Sequence, residues 1–370
     1  MDIKFEQIAI RDLIKGYVDN DEEGVVGFDG KLNIRPAYQR EFIYNDKQRN
    51  AVLVSVDKGF PLNSMYWADN GDGTYELLDG QQRTISICQF FNNDFSMEFE
   101  TGIPRMFANL PEDRKQRILD YKIHVYICSG TDTEKLDWFR IINVAQQPLT
   151  EQELLNANYT GRWLTDAKKK FSKTNCVAYK IGNKLVNGSP IRQDYLEKAL
   201  YWISNGEKDG IAKYMAAHQK DSDALGLWSY FQNVIEWVNA KFPKYRKEMK
   251  GIDWGILYNA YKDNAYDADE LETRIKELMA DDDVTSKKGI YEYLLSEGKM
   301  ERKLSIRAFT DTQKRTAYEK QGGICPICGE YHTFEEMEGD HIIPWSKGGK
   351  TLPENLQMIC KDCNRKKGGI

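Results

Sequence analysis

Four cysteines late in the chain, Cys325, Cys328, Cys360 and Cys363, form two C-x-x-C pairs with 31 residues between them. Thiolates at this spacing can close a tetrahedral shell around zinc with no open position, so the ion would be structural. A segment this short cannot bury enough apolar surface to hold itself together, and metal binding would supply the missing folding free energy. The alternative, four unrelated buried cysteines, sits poorly with two pairs in one short segment. Cys88, Cys128 and Cys176 are scattered singly. The N-terminus, MDIKFEQIAIRD, has neither the basic nor the apolar region of a secretion signal. No apolar run approaches the roughly 20 residues of a membrane helix. A cytoplasmic location without a membrane partner is expected, where paired cysteines favour metal over disulfide.

The 370 residues are 41% apolar and 29% charged, which implies a soluble globular chain of about two or three domains. The net charge of −5 excludes a chain-wide nucleic-acid coat but not a local basic site. From Glu301 onward there are 12 Lys/Arg and 10 Asp/Glu, a net of +2, which leaves −7 for the preceding residues. The expected class is α+β and multi-domain: residues 1–160 mixed, 161–299 helical, and 300–370 carrying the cysteines. Residues 53–56, 75–78 and 122–128 read as strands, the last alternating Ile123, Val125 and Ile127 with polar positions. Residues 84–91 and 112–119 have helical character, and Thr150-Glu-Gln-Glu153 is a capping-box helix start. Leu225, Trp228, Phe231, Val234, Ile235 and Val238 recur at helical spacing as a buried stripe. Residues 281–289 read as a solvated connection before a short helix over 290–295.

Between the cysteine pairs lies Asp340-His341-Ile-Ile-Pro344, then Gly348-Gly349, then Asn355-Leu356, with Asn364 directly after the last cysteine and Lys367 beyond it. This order resembles the HNH (ββα-metal) endonuclease family over residues 307–369. The resemblance implies that His341 is the general base toward water. It implies that Asp340 and Asn364 hold a divalent cation, Mg²⁺ or Mn²⁺. Asn355 would keep the His341 strand and loop in register, and Lys367, with Arg365 and Lys366, would meet DNA phosphate. The chemistry suits these residue types. Imidazole titrates near neutral pH, and a hard cation prefers carboxylate and amide oxygens. The third motif letter is often His, and the neutral Asn364 leaves the choice of metal less constrained. His332 has no place in the motif and reads as a surface residue.

At the other end, Arg35-Pro-Ala-Tyr38-Gln39-Arg40-Glu-Phe42 precedes a helix-like stretch. Tyr75-Glu-Leu-Leu-Asp79-Gly80-Gln81-Gln82-Arg83 then reads as a strand, a sharp turn and a helix start. Backbone N–H groups at such a start can bind an anion, and Arg83 could add a bidentate contact. Spacing alone leaves this site and a plain strand–helix turn equally open. The arrangement resembles the DGQQR domain of prokaryotic restriction and phage-defence proteins, related to the ParB/sulfiredoxin fold. The match continues through Phe139-Arg-Ile-Ile-Asn143 and Gln147-Pro-Leu-Thr150 to Asn156-Ala157. It implies a nucleoside triphosphate or phosphate site of Asp79, Gly80, Gln81, Gln82 and Arg83, faced by Arg35, Tyr38, Gln39 and Arg40. No Walker-type motif is present, so hydrolysis stays open. Arg162, Lys168, Lys169, Lys170 and Lys173, with Trp163 and Phe171 between them, could track a DNA backbone. A charged solvent face of a helix is the simpler explanation.

The expected protein is therefore a metal-dependent DNA endonuclease, regulated by nucleotide at the DGQQR site and acting against foreign or modified DNA. One HNH centre cuts one strand, so a homodimer is expected for double-strand breaks. Two alternatives stay open: a nucleotide-switched DNA-binding protein, and an NTP hydrolase with an ancillary HNH module.

Overall fold

The computed structural model describes the chain except residues 21–23, 37, 38, 40, 100–102, 132, 136, 139, 140, 142–149, 208 and 368–370. It divides into two compact units, Met1–Gln232 and Asn233–Ile370.

The first unit is built on a seven-stranded sheet. In chain order the strands are β1 (Asp2–Ala9), β2 (Val18–Asn20), β3 (Gly24–Gly27), β4 (Leu32–Asn33), β5 (Met65–Asp69), β6 (Tyr75–Asp79) and, after the small pair β7 (Met97–Glu98) and β8 (Pro104–Arg105), β9 (Lys122–Ser129). The spatial order is β1-β9-β5-β6-β4-β3-β2. Pairing is antiparallel except at β5/β9 and β4/β6, which are parallel. Helices α1 (Ile10–Leu13), α2 (Asp46–Asp57), α3 (Gln81–Phe91) and α4 (Glu112–Asp120) accompany it. Alternation in β9 puts Ile123, Val125 and Ile127 into one core with Leu53, Val56, Ile85 and Phe90 from the helices. Residues 53–56 thus lie inside α2 rather than in a strand. Asn45 caps that helix with a full capping box, and its buried Val52, Leu53 and Val56 stand at helical spacing. Asp57, at its end, is buried against Arg114 and Arg117 of α4. Burial opposes the charge, but the two guanidinium groups outweigh it and hold the Asp57 pKa below the usual carboxylate range.

The β6–α3 corner depends on Gly80. Its φ is +106°, and a Cβ there would lie 2.7 Å from Met65 Cγ. Gly80→Ala combines left-handed strain with overpacking, and we expect a cost of about 2–4 kcal/mol. A thermal melt checks this, and an unchanged midpoint would refute it.

Helices α5 (Glu151–Asn158), α6 (Arg162–Phe171), α7 (Val177–Gly182), α8 (Asp194–Ile203) and α9 (Gly210–His218) complete the unit. Thr150 caps α5 through the expected box with Glu153. Ala157 packs on Ala68 and Leu78 of the sheet. Helix α10 (Leu225–Lys241) runs across the division between the units. Its buried stripe holds Leu227, Phe231, Val234, Ile235 and Val238, whereas Leu225 at its start is exposed.

The second unit continues with α11 (Trp254–Tyr261), α12 (Ala268–Ala280), α13 (Gly289–Leu295), α14 (Asp311–Gln321), the antiparallel pair β10 (Met337–His341) and β11 (Leu356–Cys360), and α15 (Lys361–Lys367). Phe242, Trp254 and Tyr291 form its aromatic centre. Residues 281–289 are not merely a solvated connection. Asp283 is buried, and Val284 bridges to Ile306. Among the described residues no helix is long and apolar enough to cross a membrane.

Candidate active site

Strands β10 and β11 followed by α15 make a ββα unit, with Asp340 opposite Gln357 and His341 opposite Leu356. Its small core is Met337, Met358 and Ile359 with three of the cysteines. The sulfur atoms of Cys325, Cys328, Cys360 and Cys363 lie within 4.8 Å of one another. Cys328 and Cys360 are 4.0 Å apart. A tetrahedral zinc shell with bonds of about 2.3 Å has edges of roughly 3.8 Å, so this donor set fits that ion. The N–H of Cys360 donates to Cys325 Sγ and that of Cys363 to Cys360 Sγ, both at 3.4 Å. Burial opposes ionisation of Cys325, but the backbone N–H groups prevail and bring its pKa down to about 6, toward the thiolate a metal requires. His332 is half-buried rather than a surface residue. Its Nε2 lies 3.6 Å from Cys328 Sγ.

His341 ends β10 and lines a groove of about 680 Å³ with Arg307, Phe309, Lys314, Glu338 and Asn364. Its Nε2 is 3.0 Å from Thr351 Oγ1. That hydroxyl also lies 3.3 Å from the Arg307 carbonyl, to which it can donate. With the hydroxyl proton so directed, Thr351 Oγ1 is an acceptor for Nε2–H of a neutral ring, the tautomer in which Nδ1 keeps its lone pair. The Phe309 ring packs against the imidazole, with centroids 4.6 Å apart. Thr351 is buried and its N–H donates to Asp283 Oδ2 at 3.0 Å. Asp281 takes Lys350 at 2.7 Å and Trp345 at 3.3 Å, so the acidic segment anchors the loop that orients the imidazole. Thr351, Asp281 and Asp283 were missed in the sequence. No spacing rule points to them, because their contacts span up to 69 residues.

Asn355 ties the same loop. Its amide donates to the carbonyls of Ile343 and Lys350, each at 3.0 Å, and its oxygen accepts from Ile343 N–H at 2.8 Å. A Cβ at Gly349 would stand 1.8 Å from the Ile343 oxygen, which explains the glycine there. Asn355→Ala removes all three bonds. We expect a local loss of about 1–3 kcal/mol, read as faster amide exchange over residues 342–351, and unchanged protection would count against this.

Asp340 Oδ2 accepts from Gln357 at 3.0 Å and from the Lys367 ammonium, which also donates to the His341 carbonyl at 3.0 Å. Lys367 is thus turned onto Asp340 rather than outward. Asn364 donates to Glu338 Oε2 at 2.6 Å. Asn364 lines the groove with His341, whereas Asp340, held by Gln357 and Lys367, is not among the groove's lining residues. No cluster of three His, Cys, Asp or Glu donors closes around Asp340 among the described residues. Two protein oxygens suit Mg²⁺, which keeps water and substrate phosphate in its shell. Arg365 pairs with Asp362 on the exposed face of α15, and Lys366 is exposed beside it.

In the first unit the DGQQR residues are brought together, but they are occupied with one another. Arg83 is buried and donates to Asp79 at 2.8 Å and to the carbonyls of Asn63 and Ser64 at 2.6 and 3.3 Å. Gln82 Oε1 accepts from the N–H groups of Ile43 and Tyr44. Buried Gln39 donates to the carbonyls of Leu77 and Leu78, and Arg35 pairs with Glu41 at 2.6 Å. Gln81 is buried beside Gln82. Tyr38, Arg40 and residues 139, 140, 142, 143 and 147–149 lie outside the described residues. The reading of Lys168 as part of a solvated or DNA-tracking face is corrected. It is buried, and its ammonium donates to the Gln39 carbonyl. Burial brings its pKa down to about 8, with Glu41 opposing, Arg35 adding and Glu153 opposing. Trp163 and Phe171 are core residues, unavailable for base stacking.

The residues that hold the ββα unit, its cysteine cluster and His341 are similar to HNH endonucleases: residues 325–369 match the HNH endonuclease family model. Residues 14–160 match the model of the GmrSD restriction endonuclease N-terminal domain. The chain thus carries a region similar to a restriction-endonuclease N-terminal domain and, after it, a region similar to HNH endonucleases. A CRISPR-associated endonuclease Cas9 from Corynebacterium diphtheriae is 34% identical over 73 residues, 19% of this chain and 7% of that protein's length.

Proposed function

We propose that this protein is a divalent-metal-dependent DNA endonuclease of restriction type in which His341 Nδ1 takes the proton of the attacking water. The observation that carries this reading is the hydrogen-bond chain from the His341 ring through Thr351 to the Arg307 carbonyl. In the tautomer with Nε2–H directed to Thr351, Nδ1 is the unprotonated nitrogen of a residue that lines the groove. Asp340 and Asn364 would hold Mg²⁺ or Mn²⁺, which when bound supplies neutralisation of charge on the phosphate and leaving oxygen. The cysteine cluster would hold Zn²⁺ as a structural ion. Arg365 and Lys366 would meet the DNA backbone, with Lys367 joining them from its place on Asp340.

The same reading divides the chain into residues 1–160 with a ParB-like fold, 161–299 and 300–370. It places a nucleoside triphosphate at residues 79–83 as a cytoplasmic regulatory ligand in defence against foreign or modified DNA. Because Arg83 is already held by Asp79, nucleotide binding there would require that pair to open.

The test is supercoiled plasmid with Mg²⁺ or Mn²⁺, on unmodified, methylated, hydroxymethylated and glucosylated DNA, with and without nucleotides. Metal-dependent nicking is expected. Binding without cleavage under every condition would instead favour a nucleotide-switched DNA-binding protein. Phosphate release that Asp79→Ala with Arg83→Ala abolishes, in the absence of nicking, would favour an NTP hydrolase.

A further inference from the structure

Among the described residues strand β1 is the outer edge of the seven-stranded sheet, paired with β9 on one side only. It is eight residues long, and Ile3 and Phe5 are 51% and 48% exposed. A long edge carrying open N–H and C=O groups and exposed apolar side chains is a template for another strand. Proteins that stay monomeric blunt such an edge with proline, a bulge or uncompensated charge. β1 has no proline, its register with β9 is unbroken over all eight residues, and its internal charges are one Lys4 and one Glu6 that pair with each other.

We propose that β1 pairs antiparallel with β1 of a second copy about a two-fold axis at Phe5, joining two sheets into one. The register follows from parity and charge. An axis perpendicular to the sheet keeps each face on its own side, and directly opposite residues share a face, so a residue must stand opposite its own copy at the centre. Centring on Lys4 opposes two lysines and sets Glu6 against Asp2. Centring on Glu6 opposes two glutamates. Centring on Phe5 sets Lys4 against the second copy's Glu6, twice by symmetry, and overlaps residues 2–8. Centring on Ile3 is also free of like-charge opposition, but it overlaps fewer residues.

On the opposite face Phe5 already meets His124 and Tyr126, at 5.3 and 5.4 Å between ring centroids, and Tyr126 stacks on Tyr66 at 5.4 Å. The Phe5 pair would carry this aromatic row from one copy into the other and cover the exposed rings. The residues lie outside the nuclease groove, so the pairing is measured as mass, independently of cleavage.

The experiment is sedimentation velocity of the full chain over a concentration series. Wild type is expected to show a concentration-dependent dimer. Lys4→Glu and Glu6→Lys each bring like charges opposite one another at two symmetric places. Each is expected to weaken self-association at least about tenfold. The double variant Lys4→Glu with Glu6→Lys restores complementarity and should dimerise like wild type. Mixing the two single variants should produce a heterodimer, because one chain then carries two acids and the other two bases at these positions. Circular dichroism melts confirm that each variant is folded. A wild-type chain that stays monomeric, a dimer indifferent to either single change, or single variants that do not associate on mixing would each overturn the proposal.

Discussion

Replacing His341 by alanine is expected to lower plasmid nicking by about 10²–10⁴-fold while leaving DNA binding and zinc content unchanged. The size follows from the role, because a general base acts in the transition state and contributes little to holding the duplex. The imidazole is half-buried, and its removal opens space beside Phe309 and Thr351 without stranding a charge. Folding should therefore survive, and a melt close to wild type separates loss of chemistry from loss of structure. Thr351→Val is the sharper companion. It keeps the shape but removes the hydroxyl partner of Nε2, so the ring loses the contact that orients it. We expect a smaller loss than for His341→Ala, in the cleavage rate rather than in DNA affinity. Nicking within a few-fold of wild type in His341→Ala would sink the assignment of the base.

Removing zinc is expected to unfold the C-terminal ββα unit altogether. Structural zinc contributes on the order of 10–16 kcal/mol in small zinc-binding peptides at neutral pH. The core here, Met337, Met358 and Ile359, is too small to replace it. One zinc per chain should be found in purified protein by elemental analysis. A strong chelator, or Cys360→Ser, should abolish amide protection over residues 325–360 and with it all nicking. Zinc, but not magnesium, should restore both in the chelated wild type. Cys360 is the informative position because it closes β11, opens α15 and donates its N–H to Cys325 Sγ. A zinc-free chain that keeps those amides protected would show that the cysteines are ordinary core residues.

The parts legible in the sequence were those whose meaning lies in short-range order. The C-x-x-C knuckles, the Asp340-His341 pair, Asn355 in its loop and Thr150 with Glu153 in a capping box are each defined by a few neighbours. Their geometry follows from local backbone chemistry. The strands at 75–79 and 122–129 were visible because alternation survives wherever one face of a sheet is buried. Residues 53–56, Leu-Val-Ser-Val, misled because so short a stretch fits strand and helix periods alike, whereas the capping box at Asn45 marks the helix. Lys168 misled in another way. Its neighbours Lys169 and Lys170 suggested a solvated face, whereas helical rotation carries position 168 inward to the Gln39 carbonyl.

Residue order was enough to suggest the proposed reaction class, the clustered cysteines and the local turns that present them, because each depends on side chains a few positions apart. It could not specify which partner each polar group would take once the chain closed on itself. Whether Arg83 faces solvent or Asp79, which hydroxyl meets His341 Nε2, and that Asp281 and Asp283 anchor the loop beside it are set by contacts between distant segments. Buried hydrogen-bonding groups must be satisfied by whatever the fold brings within reach, and that inventory exists only after packing.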